Sequence, residues 1–110
     1  MTENNDNILP IGSVVLLKGG TKKVMIIGFY PNAEFEDEGG EKKALWDYSG
    51  CIYPEGLLSS EEILVFDHSQ IVEVFYLGFK DDEEKEFNKK LIEASANIKK
   101  KSKKTGKKSN

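Results

Sequence analysis

The chain has 110 residues, a formal net charge of −3 and a single cysteine. This length allows one small domain, and the lone Cys51 excludes an internal disulfide and an all-cysteine zinc site. The sequence contains no apolar run of membrane-spanning length, and its polar, acidic beginning does not have the pattern of a signal peptide. We therefore expect a cytoplasmic protein without a transmembrane segment.

The charges are divided unevenly along the chain. Residues 1–98 carry nine lysines and nineteen acids, whereas residues 99–110 carry seven lysines and no acid. All basic residues are lysines, and arginine is the residue suited to bidentate recognition of phosphate and guanine, so we do not expect the folded part to bind nucleic acid. Because both ends lack apolar residues beyond Met1, we predict a disordered N-terminus over 1–7, a single β-rich domain over 8–98 and a disordered lysine-rich tail over 99–110.

The first elements indicate a hairpin. Two apolar runs, Val14 to Lys18 and Lys23 to Tyr30, flank a Gly-Gly-Thr turn, and consecutive glycines suit the positive φ angles of tight hairpins. Gly28 within the second run predicts a bulge or a sharp bend. The acidic segment NAEFEDEGGEK that follows is typical of a loop.

In the segment KALWDYSGCIYP every second residue would share one face of a strand, and most residues of one face are apolar. This alternation predicts one strand that ends at its proline. We expect Trp46 and Ile52 to be buried, and Tyr53 and Glu55 to be at least partly exposed where the strand ends. An exposed tyrosine beside a rigid turn is a favoured interface anchor. Tyr53, Pro54 and Glu55 are therefore the candidate partner surface.

Residues 59–66 read as a short helical turn, with Ser59 and Glu62 at capping-box spacing, or alternatively as a strand. A last strand is expected within 69–79. The apolar stripe and acidic start of residues 82–98 predict a C-terminal helix. The fold class that follows is α+β: a small, strongly bent antiparallel sheet or partial barrel of about four to five strands with that helix.

Residues with catalytic potential are few, and each has a simpler interpretation. The sole histidine, His68, follows Asp67 and is interpreted as a polar capping residue, because sequence adjacency does not build a catalytic pair. Cys51 is interpreted as a small hydrophobic residue of a strand. The carboxylates between residues 34 and 41 lack the spacing of a calcium-binding loop, and KGGTKK joins two strands rather than a strand and a helix as in a phosphate-binding loop. We predict no catalytic, cofactor-binding or metal site, and no enzyme.

Three segments, in this order, resemble a known family. LPIGSVVLLKGGTKKVMIIGF is followed by DYSGCIYPEGL and then by FDHSQIVEVFYLGF, which together extend from Leu9 to Phe79. The combination is similar to the domain-of-unknown-function 4176 family of small proteins of Gram-positive bacteria. The resemblance implies a setting near type VII secretion loci with LXG-type toxins, and it assigns no catalytic residue.

The expected function is a non-enzymatic accessory or binding module. Its partner would be a protein, either a type VII-secreted toxin or a secretion component, which the chain would serve as a chaperone or adaptor. The alternative is a binder of nucleic acid or of an anionic membrane surface that uses the lysine-rich tail. The candidate electrostatic residues of that tail are Lys99, Lys100, Lys101, Lys103, Lys104, Lys107 and Lys108.

Overall fold

The structure is a computed structural model that describes residues 8–37 and 39–109, and the side chains of residues 8–37 and 39–96. Two compact units are distinguished among the described residues: residues 9–79 form one, and residue 8 with residues 80–109 forms the other. The predicted disorder of residues 1–7 lies outside the described residues.

The unit formed by residues 9–79 is built from antiparallel strands. Within the described residues these strands are β1 (Val14–Leu17), β2 (Lys23–Phe29), β3 (Asn32–Glu36), β4 (Lys42–Leu45), β5 (Tyr48–Tyr53), β6 (Leu64–Phe66) and β7 (Ile71–Tyr76). Five strands form one sheet in the order β6-β5-β2-β1-β7, and β3 pairs with β4 in a second sheet. The larger sheet stays open, with β6 and β7 at its edges. The predicted α+β class with a sheet of about five strands is confirmed.

The predicted hairpin is present as β1 and β2. Val14 lies opposite Met25, and Leu16 lies opposite Lys23. The irregularity expected at Gly28 is also confirmed, because the pairing of β2 with β5 shifts register between Ile26 and Gly28.

The prediction of an acidic loop after this hairpin is wrong. The segment forms β3 and β4, with Phe35 opposite Lys43. The connection between them is held by the Asp37 carboxylate, whose Oδ1 accepts the backbone N–H groups of Gly39 and Glu41 at 2.9 and 3.0 Å. A local aspartate turn of this kind closes a hairpin even where the charged composition is typical of a loop.

The prediction of one continuous strand through residues 43–54 is also wrong, since the ladder breaks at Trp46 and Asp47 between β4 and β5. The Trp46 indole N–H donates to Ala33 O at 2.8 Å and so fixes the break against β3. Trp46 is buried, as expected, whereas Ile52 is half-buried.

The segment at 59–66 contains both alternatives that the sequence left open. Ser60–Glu62 is a 3₁₀ turn, and β6 follows at Leu64–Phe66. The Ser59 hydroxyl accepts the Glu61 N–H at 3.1 Å and caps the turn.

The core of this unit lies where β2, β5 and β6 meet. Ile26, Tyr48 and Phe66 are fully buried, and the rings of Tyr48 and Phe66 stack with their centroids 5.4 Å apart. Burial of a large apolar side chain is worth about 1.5–3 kcal/mol, so this centre carries much of the unit's stability. Cys51 is buried beside it, as the interpretation of a small hydrophobic residue requires.

The second unit contains helix α1 (Asp82–Ser109), which begins where the sequence predicts. The Asp81 carboxylate accepts the Glu84 N–H at 2.9 Å, and Asn88 donates to Ile8 O at 2.6 Å. In the structure the helix continues beyond residue 98, the predicted end, and the disorder of residues 99–110 stays a prediction. Among the described residues, no helix combines the length and apolar character that crossing a membrane requires.

Candidate protein-binding surface

The edge strand β7 is the most exposed part of the sheet. Within the described residues it pairs on one side with β1, and its other side forms the edge. Every residue from Val72 to Leu77 is exposed, so side chains on both faces of the strand are uncovered.

Most of these exposed side chains are apolar. Together with the exposed Phe79 that follows the strand, they form what we call the β7 surface: Val72, Val74, Phe75, Tyr76, Leu77 and Phe79. The exposed fraction is 45% for Val74, 61% for Tyr76 and 77% for Phe79. Scattered apolar side chains are normal on protein surfaces, but a contiguous group on an edge strand is typical of an interaction site.

Both ends of β7 are anchored by hydrogen bonds. At the start, Lys18 N–H donates to Gln70 O at 2.7 Å. Just after the strand, Gly78 N–H donates to the fully buried Ser13 hydroxyl at 2.9 Å. A Cβ at Gly78 would lie 2.2 Å from Ile11 O, so only glycine permits this close approach of two backbones. The surface is therefore presented by a strand that is fixed at both ends.

A lysine side chain contacts the β7 surface. The Lys23 ammonium group lies 5.0 Å from the centroid of the Phe75 ring, within the range of a cation–π contact. The strand itself carries a single charged residue, Glu73, which is exposed.

A polar cluster around the sole histidine lies elsewhere in the same unit. The Tyr48 hydroxyl accepts Leu9 N–H at 3.0 Å and lies 2.8 Å from His68 Nδ1. These contacts are satisfied together when Tyr48 donates to Nδ1 and the imidazole proton is on Nε2. Burial raises the pKa of the Tyr48 phenol well above its usual range. The histidine side chain thus holds the buried hydroxyl, and the cap of the turn at His68–Gln70 is Asp67 rather than His68, which the sequence interpretation had as the capping residue.

The carboxylates of the two aspartates in this cluster also accept hydrogen bonds from nearby backbone groups. Asp47 Oδ2 accepts His68 N–H at 2.9 Å, and Asp67 Oδ1 accepts Asp47 N–H at 3.1 Å. The other oxygen of Asp67 forms an ion pair with Lys43. Gln70 Oε1 accepts Asp67 N–H at 2.8 Å. This network ties the β4–β5 break to the 3₁₀ turn at His68–Gln70.

Two adjoining clefts lie next to this network, with volumes of about 290 and 440 Å³. Asp37, Trp46 and Gln70 line both clefts. Among the described residues, no group of three or more histidine, cysteine or acidic side chains is arranged to hold a metal ion.

The sequence-predicted partner surface lies at the far end of β5. Tyr53, Pro54 and Glu55 are exposed, and the Tyr53–Pro54 peptide bond is cis. Glu55 forms an ion pair with Lys22 at 2.7 Å, and this hydrogen bond lowers the pKa of the Glu55 carboxyl. These three residues are thus accessible, and their role as a binding surface stays a prediction. The side chains of the seven tail lysines lie outside the described residues.

Comparison with known families places this geometry in context. A family model described as "Domain of unknown function (DUF4176)" matches residues 8–87. The chain belongs to the DUF4176 family. The matched range includes β1 to β7 and the first turn of α1, so the β7 surface lies within the DUF4176 region. No curated protein and no solved structure matches the chain.

Sequence reasoning identified the strand at β7 but missed its exposure. The segment IVEVFYLGF has apolar residues at both alternating positions, a pattern that the sequence alone cannot distinguish from burial on two faces. Chain length could have distinguished an exposed strand from a strand buried on both faces, because a domain of this size has few residues to cover both faces of every strand.

Proposed function

We propose that this protein is a non-enzymatic, cytoplasmic accessory module that binds a type VII-secreted toxin of the LXG type through the β7 surface. The observation that carries the proposal is the group of exposed apolar side chains on an edge strand fixed at both ends. The setting near toxin loci that the family resemblance implies supports the choice of partner, and the exposed strand supports the mode of action. By covering apolar surface of the toxin before export, the module would keep it from aggregating.

The non-enzymatic role is part of the proposal, and the hydrogen bonding of the polar side chains supports it. Within the described residues His68, Asp47 and Asp67 are each engaged in hydrogen bonds that hold the fold together. Cys51 is buried, whereas reactive thiols are commonly exposed. Protein binding is the function that the exposed surface supports best.

The test is co-expression of the full chain with the LXG-type toxin from the same genome. The measured quantities are the amount of toxin in the soluble fraction and its retention with the affinity-tagged chain. The test variant combines Val74→Ser and Tyr76→Ser. A matched control combines Leu57→Ser and Leu58→Ser, which lie outside β7 and are 46% and 72% exposed.

We expect the wild type and the loop control to retain the toxin, and the β7 variant to lose it. Both variants should remain folded, because all four side chains are already exposed. Equal retention by the two variants would contradict the β7 surface as the interface. A toxin that is not retained by the wild type would contradict the proposed partner.

A further inference from the structure

The larger of the two clefts lies at the edge of the sheet away from β7. It is lined in part by Leu64 and Val65 of β6, and β6 and β7 are the opposite edges of the five-stranded sheet. Its volume is about 440 Å³, and sites for small ligands commonly measure roughly 300–1,000 Å³. The cleft is therefore large enough to take one side chain of a partner.

An exposed aromatic ring is part of the lining of this cleft. Phe35 of β3 is 54% exposed, and Ile63 and the indole of Trp46 line the cleft as well. The face of an aromatic ring attracts cations and stacks against flat groups. This part of the cleft thus suits the aliphatic stem and the flat end of a long side chain.

The charged side chains that line the larger cleft are all acidic among the described residues. They are Glu36 of β3, Asp37 of the β3–β4 connection and Glu61 of the 3₁₀ turn. Neither Glu36 nor Glu61 forms an ion pair with a described residue, and both are exposed. Local charge complementarity therefore favours a cationic occupant.

The smaller cleft shows the same chemistry with a side chain of this protein. The Lys43 ammonium group lies 5.1 Å from the centroid of the Trp46 ring and forms an ion pair with Asp67, so a cation is held between an aromatic ring and a carboxylate. The larger cleft repeats the combination of ring and carboxylate with Phe35 and Glu36, and within the described part of the chain no lysine lines it.

Arginine fits the larger cleft better than lysine. The guanidinium group is planar, stacks on aromatic faces and has donors for two carboxylates at once, whereas an ammonium group is a compact, strongly hydrated point charge. The carboxylates of Glu36 and Glu61 belong to different elements, as a group with several donors requires. This chain contains no arginine, so neither its lysine-rich tail nor a second copy can supply the occupant.

We infer that the larger cleft binds an arginine side chain of a partner protein. The guanidinium group stacks on the Phe35 ring, and the carboxylates of Glu36 and Glu61 accept its hydrogen bonds. This inference goes beyond the proposed function, because the cleft is separate from the β7 surface and its test needs no toxin.

The probe is a short capped peptide of glycine and serine with one central arginine. It is titrated into the isotope-labelled full chain, and the Kd is taken from the NMR shifts of the indole N–H of Trp46, the single tryptophan, and of the backbone amide of Phe35. One matched peptide carries citrulline, which keeps the planar end of arginine without its charge. Another carries lysine.

Two double variants are titrated with the arginine peptide. Glu36→Gln with Glu61→Gln removes two acids that line the cleft. The control, Glu34→Gln with Glu62→Gln, removes two acids of the same two elements that do not line it. All four side chains are exposed, so both variants should fold.

We expect saturable shifts at Trp46 and Phe35 with the arginine peptide. Citrulline, or loss of the two cleft acids, should weaken the Kd by at least about tenfold, since hydrogen bonds between charged groups are lost. The control variant should stay within about twofold of the wild type, because exposed charges outside the site are screened. Phe35→Leu should weaken the Kd by about two- to fivefold, and the lysine peptide should bind more weakly than the arginine peptide.

Three results would overturn the inference. They are equal binding of the arginine peptide and either matched peptide, equal Kd values for the two double variants, and an absence of shifts at the cleft. Each of these results would leave the β7 surface and the toxin as they are proposed above, because the probe tests the cleft alone.

Discussion

Replacing Gly78 with alanine tests the claim that β7 is fixed at its end. The new Cβ would lie 2.2 Å from Ile11 O, 3.0 Å from Ile11 C and 3.1 Å from Ser13 N, whereas ordinary contacts begin near 3.4 Å. All three neighbours are backbone atoms, so the two segments must separate by about 1 Å, and no side-chain rotation relieves the contact. Overpacking of this kind costs about 1–3 kcal/mol.

The same separation weakens the hydrogen bond from Gly78 N–H to the buried Ser13 hydroxyl, which is worth about 0.5–1.5 kcal/mol. We therefore expect Gly78→Ala to lower the free energy of unfolding by about 2–4 kcal/mol. Urea denaturation followed through the fluorescence of the single tryptophan measures this, and the midpoint should fall by about 1–2 M at an ordinary m-value.

The matched control is Gly39→Ala in the β3–β4 connection. A Cβ at Gly39 would have Asp37 Oδ1 as its nearest neighbour at 3.6 Å, an ordinary contact. This variant should stay within about 0.5 kcal/mol of the wild type. The argument for a close backbone approach at Gly78 is refuted if the two alanine variants denature at the same urea concentration.

Three further predictions concern other parts of the chain. Tyr48→Phe should cost about 1–3 kcal/mol, since it removes a buried hydroxyl with two partners, and urea titration measures the loss. Burial raises the folded-state pKa of this tyrosine, so its contribution to the free energy of unfolding should be fully present below about pH 10 and fall as pH rises above it. The free energy of unfolding of Tyr48→Phe should therefore fall less steeply with alkaline pH than that of the wild type. An equally steep fall in both proteins would contradict this cause. Tyr53→Ala with Glu55→Lys should leave the melting temperature nearly unchanged and weaken toxin retention; a variant that unfolds would make this stretch purely structural. Deletion of residues 99–110 should shift the melting temperature by no more than a few degrees in calorimetry, and a large drop would show that these residues contribute to packing.

The parts of the fold that follow from local patterns could be predicted from the sequence. The β1–β2 hairpin follows from two apolar runs around Gly-Gly, and the start of α1 follows from Asp81 ahead of an acidic first turn. The irregularity at Gly28 was likewise predictable, because a glycine inside a strand commonly marks a bulge. Each of these signals acts within a few residues.

The two wrong strand predictions have different causes, one distant in sequence and one local. The break of the ladder at Trp46 depends on its indole bond to Ala33 O, thirteen residues away. The β3–β4 hairpin was hidden by its acidic composition, although the Asp37 turn closes it. Local propensity does not contain the Trp46 contact, because tertiary contacts override it, whereas the Asp37 turn is local and was missed because charged residues are typical of loops.

The candidate site was the least predictable part. The sequence directed attention to Tyr53, Pro54 and Glu55, because these residues stand out in composition. The β7 surface has the same residue types as a buried strand, and only strand order reveals that β7 is an edge. Whether a strand lies at the edge of a sheet depends on the order of all the strands, so no short segment of the sequence indicates it.

The central claim is that the β7 surface binds the partner protein, and cysteine accessibility tests it most directly. The sole cysteine, Cys51, is buried, so a cysteine introduced on the surface is the one that a maleimide reagent reaches first. Two single variants are compared, Tyr76→Cys on β7 and Leu58→Cys in the loop, at positions 61% and 72% exposed. The alkylation rate is measured for each variant, free and in complex with the toxin. We predict that complex formation slows the reaction at position 76 by at least about tenfold, in line with burial of an interface core, and leaves the rate at position 58 unchanged. An unchanged rate at position 76 in a complex that has formed would contradict the claim.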